Sequence, residues 1–446
     1  MSITLFLRLR WPAPALWFLK LYVSALSPVL VLIGVLSTIA GLATGSIFFS
    51  VTGIYAVLIF LLHIYLVTRP PTYPGRFEKA FGSHWENLVD AEQKKYFLPS
   101  RIVFNLSAVP APRLQQNISF AAIPGTGRQL LCDVWQPNEN INPSGLAFIY
   151  LHGSAWCLLD KDVGTRPFFK HLAAHGHVIM DVAYRLAPET DMMGMVHDTK
   201  RAINWMKENV ARYGVNPNRV VVGGGSAGAH LALLAAYTAG NARFTPMELT
   251  GKNSSVWAVI SLYGPTDLAA MYHHTNQHLA TRSTTGKPKK AVPARMPQWI
   301  VKAMGKNYHR LGMDKGFENA GALAHLLGGH PDECPGTYAL FSPITHVHAH
   351  CPPTLLIHGE HDLLAPVKTT RFLYTRLMEK KIPAVMHILP QTDHAFDLLL
   401  PKISPSAHAA WYDVERFLGL PFNILRESGM MAVENENPYQ PVNGIR

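Results

Sequence analysis

From residue 21 to residue 68 the chain has no aspartate, glutamate, lysine or arginine. That lack excludes an ordinary solvated surface over the stretch. A bilayer-crossing helix needs only about 20 apolar residues, so a single span would be too short to use the whole run. The run is read as two spans, 21–40 and 47–67, forming a hairpin that turns at GLATGS (41–46), with Pro28 inside the first as a kink. Cysteine is equally scarce. Cys132, Cys157, Cys334 and Cys351 show no C-x-x-C spacing, which excludes the usual zinc modules and leaves free buried thiols as the reading. A Cys334–Cys351 pair would arise only in a lumenal domain. No repeat of 20–50 residues is present, which excludes solenoids and propellers. Charged residues make up 15% of the chain against 48% hydrophobic, too apolar a balance for disorder.

The formal charge is +11, yet no aromatic-interleaved basic stripe accompanies it, so nucleic acid is not expected as a partner. Most of the excess lies in 270–316, where Arg282, Lys287, Lys289, Lys290, Arg295, Lys302, Lys306, Arg310 and Lys315 face only Asp314. This insertion is read as a solvated segment, with attraction to an anionic leaflet and a lid over the site as the functional readings. Arg8, Arg10 and Lys20 precede the first span and Arg69, Arg76 and Lys79 follow the second, while the hairpin tip has none. The positive-inside rule then puts both flanks in the cytosol. The sequons at Asn105, Asn117 and Asn253 become chance matches in that topology. One signal anchor with an interfacial helix is the rival reading. A cleaved signal peptide fits poorly, because its apolar core spans 7–15 residues.

The remaining chain divides into a juxtamembrane connector (69–100), a large domain (101–422) and a polar tail (423–446). RIVFNLS (101–107), ISFAAI (118–123) and QLLCDVWQP (129–137) read as short antiparallel strands. From residue 145 the pattern becomes strand then helix. LAFIYL, HVIMDVAY, RVVVGG, VWAVISLYG, TLLIHG and AVMHIL are apolar runs of strand length, and helical stretches such as 195–214 lie between most of them. Strands apolar on both faces with helical crossovers imply a mainly parallel sheet in an α/β domain.

One stretch, RVVVGGGSAGAHLALLAAYTAG (219–240), satisfies two motifs. Gly223, Gly225 and Gly228 match the dinucleotide pattern G-x-G-x-x-G, and Gly224, Ser226 and Gly228 match the hydrolase pattern G-x-S-x-G. A dinucleotide site needs an acid at the end of the next strand, about 20 residues on. Glu248 has the spacing but lies in FTPMELTGKN, which is no strand end. The hydrolase pattern needs an acid and then a histidine, each after a later strand. Asp362 follows TLLIHG and His394 follows AVMHIL, giving Ser226, Asp362 and His394 in the required order. In this chemistry a histidine accepts the serine proton and a carboxylate orients the imidazole. The oxyanion donors are then the N–H of Ala227 and those of the loop LHGSAW (151–156).

LHGSAW, DVAYRLAPE (181–189), GGGSAGAHLA, PPTLLIHGEHDLLAP and DHAFD together resemble the hormone-sensitive-lipase-like esterase/lipase branch of the α/β-hydrolase fold, over roughly 145–420. The resemblance implies hydrolysis of carboxylic esters with no metal or organic cofactor. It places oxyanion donors at Gly153 and Ser154, and gives Tyr184 and Arg185 a bracing role. The family usually reads HGGG or HGGGW where this chain has His152-Gly-Ser-Ala-Trp156, and a backbone needing positive φ at Ser154 would resist that exchange. His152 is read as loop-bracing, and Glu360, His361 and Asp393 as neighbours of the triad. His273, His274 and His278 lack companion carboxylates, so no metal is expected.

The expectation is therefore a two-span membrane protein, the endoplasmic reticulum among its candidate membranes, with a cytosolic serine hydrolase domain acting on a small-molecule or lipid-like ester. A tailoring hydrolase of a secondary-metabolite pathway and a non-catalytic binding protein on the same fold are the alternatives.

Overall fold

The computed structural model describes residues 2–9, 14–72, 75–104, 106, 108–276 and 321–421. Most of the basic insertion and the tail from 422 onward lie outside the described residues.

The charge-free run forms two long helices, α2 (Ser27–Thr44) and α3 (Ile47–Val67), preceded by α1 (Pro14–Ala25). The first long helix begins at residue 27, not 21. The helix is interrupted at Leu26, and Pro28 sits in the first turn of α2 and not within a kinked span. Proline is tolerated there because the first N–H groups of a helix have no intrahelical acceptor. Gly45 ends α2 at φ +70°. The two helices touch through small residues: a Cβ on Gly53 would stand 2.6 Å from the Gly34 carbonyl oxygen. Leu32, Leu36, Leu42, Phe48, Val51 and Leu58 stay exposed along the outside of the hairpin.

The domain is an eight-stranded sheet in the order β1-β2-β4-β3-β5-β6-β7-β8. The strands are β1 (Arg113–Ala122), β2 (Gln129–Gln136), β3 (Ala147–Leu151), β4 (Val178–Ala183), β5 (Val220–Gly225), β6 (Ala258–Leu262), β7 (Thr354–Gly359) and β8 (Ala384–Leu389). β1–β2 and β2–β4 pair antiparallel; the other pairs are parallel. No strand forms among the described residues of 101–107. Arg101 instead pairs with Asp413 and the Val103 N–H meets His408 Nδ1 at 3.4 Å, so side chains of a helix take the place of a ladder.

Helices α4 (Arg166–Ala173), α5 (Met192–Glu208), α6 (Ala227–Tyr237), α7 (Leu268–Thr275), α8 (Val367–Glu379) and α9 (Pro405–Gly419) flank the sheet. Successive strand residues face opposite layers. Ile149, Met180 and Val222 pack with Ile203 and Leu231 in one apolar cluster. Phe148, Tyr150, Ile179 and Val221 pack with Trp411 and Phe417 in the other, which also holds Leu21 of α1.

The register matters for function. Leu151 is opposite Gly224, and Gly225 is opposite Leu262, so the loops leaving β3, β5 and β6 emerge side by side. The connections also reverse direction across the sheet at β3/β5, and open α/β sheets bind ligands at the carboxyl ends beside such a switch.

Candidate active site

Between the end of β5 at Gly225 and the start of α6 at Ala227 only Ser226 remains to turn the chain. It takes φ +53° and ψ −121°, a conformation that stores about 1–3 kcal/mol in a residue with a side chain. Close packing holds it. A Cβ on Gly224 would lie 2.2 Å from the Leu151 carbonyl oxygen, and one on Gly228 2.0 Å from the same atom, so neither position accepts a side chain. Ser226 is the N-cap of α6, yet its side chain makes no capping bond. The hydroxyl faces His394 Nε2 instead, at 2.8 Å.

His394 lies in the loop after β8 and Asp362 in the loop after β7. His394 Nδ1 meets Asp362 Oδ2 at 2.7 Å. The carboxylate is fixed from its other side by the N–H groups of Leu364 (2.8 Å) and Ala365 (2.7 Å) on Oδ1 and by His358 Nε2 (3.1 Å) on Oδ2. Burial by itself would raise the Asp362 carboxyl, but the charges and hydrogen bonds of His394 and His358 outweigh it and hold the group well below the usual carboxylate range. The ring of Tyr263 stands edge-on to His394 at 4.8 Å, and its hydroxyl donates to Asp397 Oδ1 at 2.5 Å. The three residues brought out by strand-end reasoning are thus one hydrogen-bonded chain.

Gly153 and Ala227 border the same point. A Cβ on Gly153 would lie 3.3 Å from Ser226 Cβ, and Ala227 opens α6, where first-turn N–H groups lack intrahelical acceptors. The positive φ values in this loop fall on Ala155 (+46°) and Trp156 (+62°), not on Ser154. The Gly-to-Ser exchange therefore meets no backbone resistance. Ser154 Oγ accepts the Trp156 N–H at 3.0 Å and lies 2.7 Å from the Tyr184 hydroxyl. The single Tyr184 proton goes to the His152 carbonyl oxygen at 2.7 Å, so the serine is the donor of the Ser154–Tyr184 bond. Tyr184 braces the loop as the resemblance implied. Arg185 is turned elsewhere, to both carboxylate oxygens of Asp198.

The other flagged residues have separate tasks. The His152 ring stacks on Tyr184 at 4.6 Å, and burial pushes its pKa down to about 4. His274 meets the Asp362 carbonyl oxygen at 3.2 Å; His278 lies outside the described residues. Glu248 pairs with Arg201. None of the four cysteines is in a disulfide, and burial pushes Cys132, Cys157 and Cys351 up to about 12. Among the described residues, His171, His175 and Glu415 form one compact His/carboxylate group. Its carboxylate already receives His171 Nε2 at 2.7 Å, the Leu98 N–H at 2.9 Å and Arg416, which is the arrangement of a buried polar network between α4 and α9.

The residues that sequence reasoning missed are N-terminal. Trp17 Nε1 donates to the His394 carbonyl oxygen at 3.2 Å, and Lys20 Nζ reaches Asp393 Oδ2 at 3.2 Å and His361 Nδ1 at 3.1 Å. His63 of α3 meets Gln391 Oε1 at 2.9 Å with one ring nitrogen and Ser24 Oγ at 2.9 Å with the other. A signal existed for His63: it is the sole ionisable side chain other than tyrosine in 21–68.

A model of the BD-FAE family matches residues 132–377, more than half of the chain. The chain belongs to the BD-FAE family. It has the α/β-hydrolase architecture that the motifs implied, with the G-x-S-x-G turn after β5. Among similar proteins, the probable carboxylic ester hydrolase LipM of Mycobacterium tuberculosis is 29% identical over 66% of this chain and 58% of its own length. Esterase LipQ of the same organism is 28% identical over 72% of this chain and 68% of its own. The chain thus spans about three-fifths of these relatives' length. A solved structure of an esterase from Thermogutta terrifontis, of the Planctomycetes, is 20% identical with a TM-score of 0.48, covering 75% of this chain and 99% of that one.

Proposed function

We propose that this BD-FAE protein is a membrane-anchored serine hydrolase that cleaves carboxylic esters of a hydrophobic substrate through an acyl-enzyme on Ser226. The observation that carries this reading is the continuous chain from Ser226 Oγ to His394 (2.8 Å) to Asp362 (2.7 Å), with the serine held at positive φ. The names of LipM and LipQ support the ester class.

In this mechanism Ser226 Oγ attacks the ester carbonyl while His394 Nε2 takes its proton. Asp362 keeps Nδ1 protonated and offsets the imidazolium charge. The carbonyl oxygen becomes an oxyanion facing the N–H groups of Gly153, Ser154 and Ala227, donors whose orientation is fixed before the reaction and so costs nothing during it. His394 then returns the proton to the departing alcohol, leaving Ser226 acylated. Water, deprotonated by the same imidazole, attacks the acyl carbon; the bond to Ser226 Oγ breaks, His394 returns the proton to that oxygen, and the acid leaves.

Membrane attachment rests on α2 and α3, two helices long and apolar enough to cross a bilayer. Two spans return the chain to its starting side, whereas one would not. Contacts of Trp17 and Lys20 with the loop that follows β8 need both flanks of the hairpin on one side, which supports the two-span reading over a single signal anchor. The positive-inside rule makes that side the cytosol.

The test is hydrolysis of short-chain and long-chain p-nitrophenyl esters by the full-length protein and Ser226→Ala in detergent micelles. Turnover of wild type alone, rising with chain length, is the expected result. Equal turnover by the variant would overturn the mechanism, and a preference for acetyl esters would overturn the hydrophobic substrate.

A further inference from the structure

Lys20 stands one residue before a 48-residue stretch without charge, a natural place for a cation that anchors a helix at a membrane surface. The structure gives it a different task. Its side chain is 1% exposed, and its ammonium has three partners: the Leu7 carbonyl oxygen (2.7 Å), His361 Nδ1 (3.1 Å) and Asp393 Oδ2 (3.2 Å). An ammonium carries three donors, and all three are used.

The partner carboxylate is what makes this arrangement consequential. Asp393 Oδ1 accepts the N–H of His394 at 2.9 Å and the N–H of Leu363 at 3.1 Å. It therefore ties the residue after Asp362 to the residue that bears the imidazole. The His361 N–H also reaches across, to the Thr392 carbonyl oxygen at 2.9 Å. Lys20 holds the far oxygen of Asp393 and the His361 side chain at once, so it grips both loops from the N-terminal helix. Trp17, one turn earlier on α1, fixes the His394 carbonyl oxygen. Both backbone groups of His394 are thereby held, one through Asp393 and one directly by α1. The start of the same loop is held by His63 of α3 through Gln391. Apolar packing of Leu21 against the cluster of Trp411 and Phe417 seats α1 independently of any lipid.

We infer that Lys20 and Trp17 are positioning residues for His394 and Asp362, and that the N-terminal helices are thereby part of the apparatus that aligns the reacting groups as well as a tether. The inference rests on the serine-hydrolase reading of Ser226, His394 and Asp362. An imidazole serving as base must be held within about 0.5 Å of its productive place, and a displacement of about 1 Å costs roughly 100-fold in rate. Removing the ammonium leaves Asp393 buried without its counter-charge, and the bonds it makes to the two loops are then free to rearrange. Substrate binding is untouched by that change, so the effect belongs in kcat.

The experiment uses full-length protein in detergent micelles with a short, water-soluble p-nitrophenyl ester, so that access from a bilayer plays no part. Active sites are counted by end-point fluorophosphonate incorporation, so that kcat is expressed per competent site and misfolded protein drops out. Lys20→Met is expected to lower kcat roughly 10- to 100-fold with KM unchanged, Lys20→Arg to recover part of the loss, and Trp17→Phe, which keeps the ring packing, to lower kcat roughly 3- to 10-fold. Wild-type kcat per site in both Lys20→Met and Trp17→Phe, beside an inactive Ser226→Ala, would overturn this inference alone. Persistent turnover in Ser226→Ala would overturn the reading of the site and this inference with it. Should Lys20→Met fail to fold, Trp17→Phe decides: a drop in kcat at constant KM supports the positioning role, and an unchanged kcat refutes it.

Discussion

Ser154→Ala separates two roles that a hydroxyl in this loop can play. The backbone N–H of residue 154 survives the change, so any effect reports on Oγ. That atom is buried, accepts the Trp156 N–H at 3.0 Å and gives its proton to Tyr184 at 2.7 Å. Tyr184 keeps its bond to the His152 carbonyl oxygen, so the substitution orphans one buried donor, the Trp156 N–H, at a cost of about 1–3 kcal/mol. A cost of that size lowers the melting temperature by several degrees. Because the hydroxyl proton points at Tyr184, the loss of rate should come only from a loosened loop, roughly 10-fold in kcat. Removing a direct oxyanion donor costs about 100- to 1,000-fold. The assay is a thermal melt together with kcat for a p-nitrophenyl ester on the same samples. A fall of 100-fold or more with an unchanged melting temperature would refute the bracing role and make the hydroxyl a donor to the oxyanion.

Three further outcomes follow from the same geometry. Ala155 sits at φ +46°, where an L-residue is strained, so Ala155→Gly should raise stability by about 0.5–1 kcal/mol in a denaturant melt. Gly228→Ala places a methyl 2.0 Å from the Leu151 carbonyl oxygen, which drives α6 and the Ala227 N–H away from the site. It should cost about 1–3 kcal/mol and roughly 100-fold in kcat. Burial pushes His171, His230 and His408 down to about 4 and His175 to about 3. Their unfolded values lie near 6.5, so the unfolded chain binds protons first as pH falls. The stability they contribute is complete above pH 6.5 and is lost progressively down to about pH 4, at up to ~1.4 kcal/mol per pH unit for each histidine. Glu415, whose carboxyl burial pushes up to about 8, contributes in the opposite sense over the same range, so the comparison is with His230→Gln: its melting temperature should fall less than that of wild type from pH 7.5 to 4.5, and parallel profiles would contradict the burial of that ring.

Much of the site was legible because its signals are local. Ser226, Asp362 and His394 each follow an apolar run of strand length, and a parallel sheet delivers the ends of such runs to one edge. The oxyanion loop was legible in place but not in detail. Sequence reasoning put the backbone demand at Ser154, whereas positive φ falls on Ala155 and Trp156; nothing in five residues tells which one absorbs a turn. RIVFNLS alternates like a strand, but its donors and charges meet Asp413 and His408, partners about 300 residues away. Lys20 was the largest miss. It reads as a flank charge of a membrane helix, and its role depends on Asp393, a contact across 373 positions that no local pattern encodes.

Fluorophosphonate labelling followed by mapping of the modified peptide asks whether Ser226 is the nucleophile. One adduct per chain is expected, on Ser226, with neither label nor ester turnover in Ser226→Ala. An adduct on another residue, or labelling and turnover that persist in the variant, would contradict it.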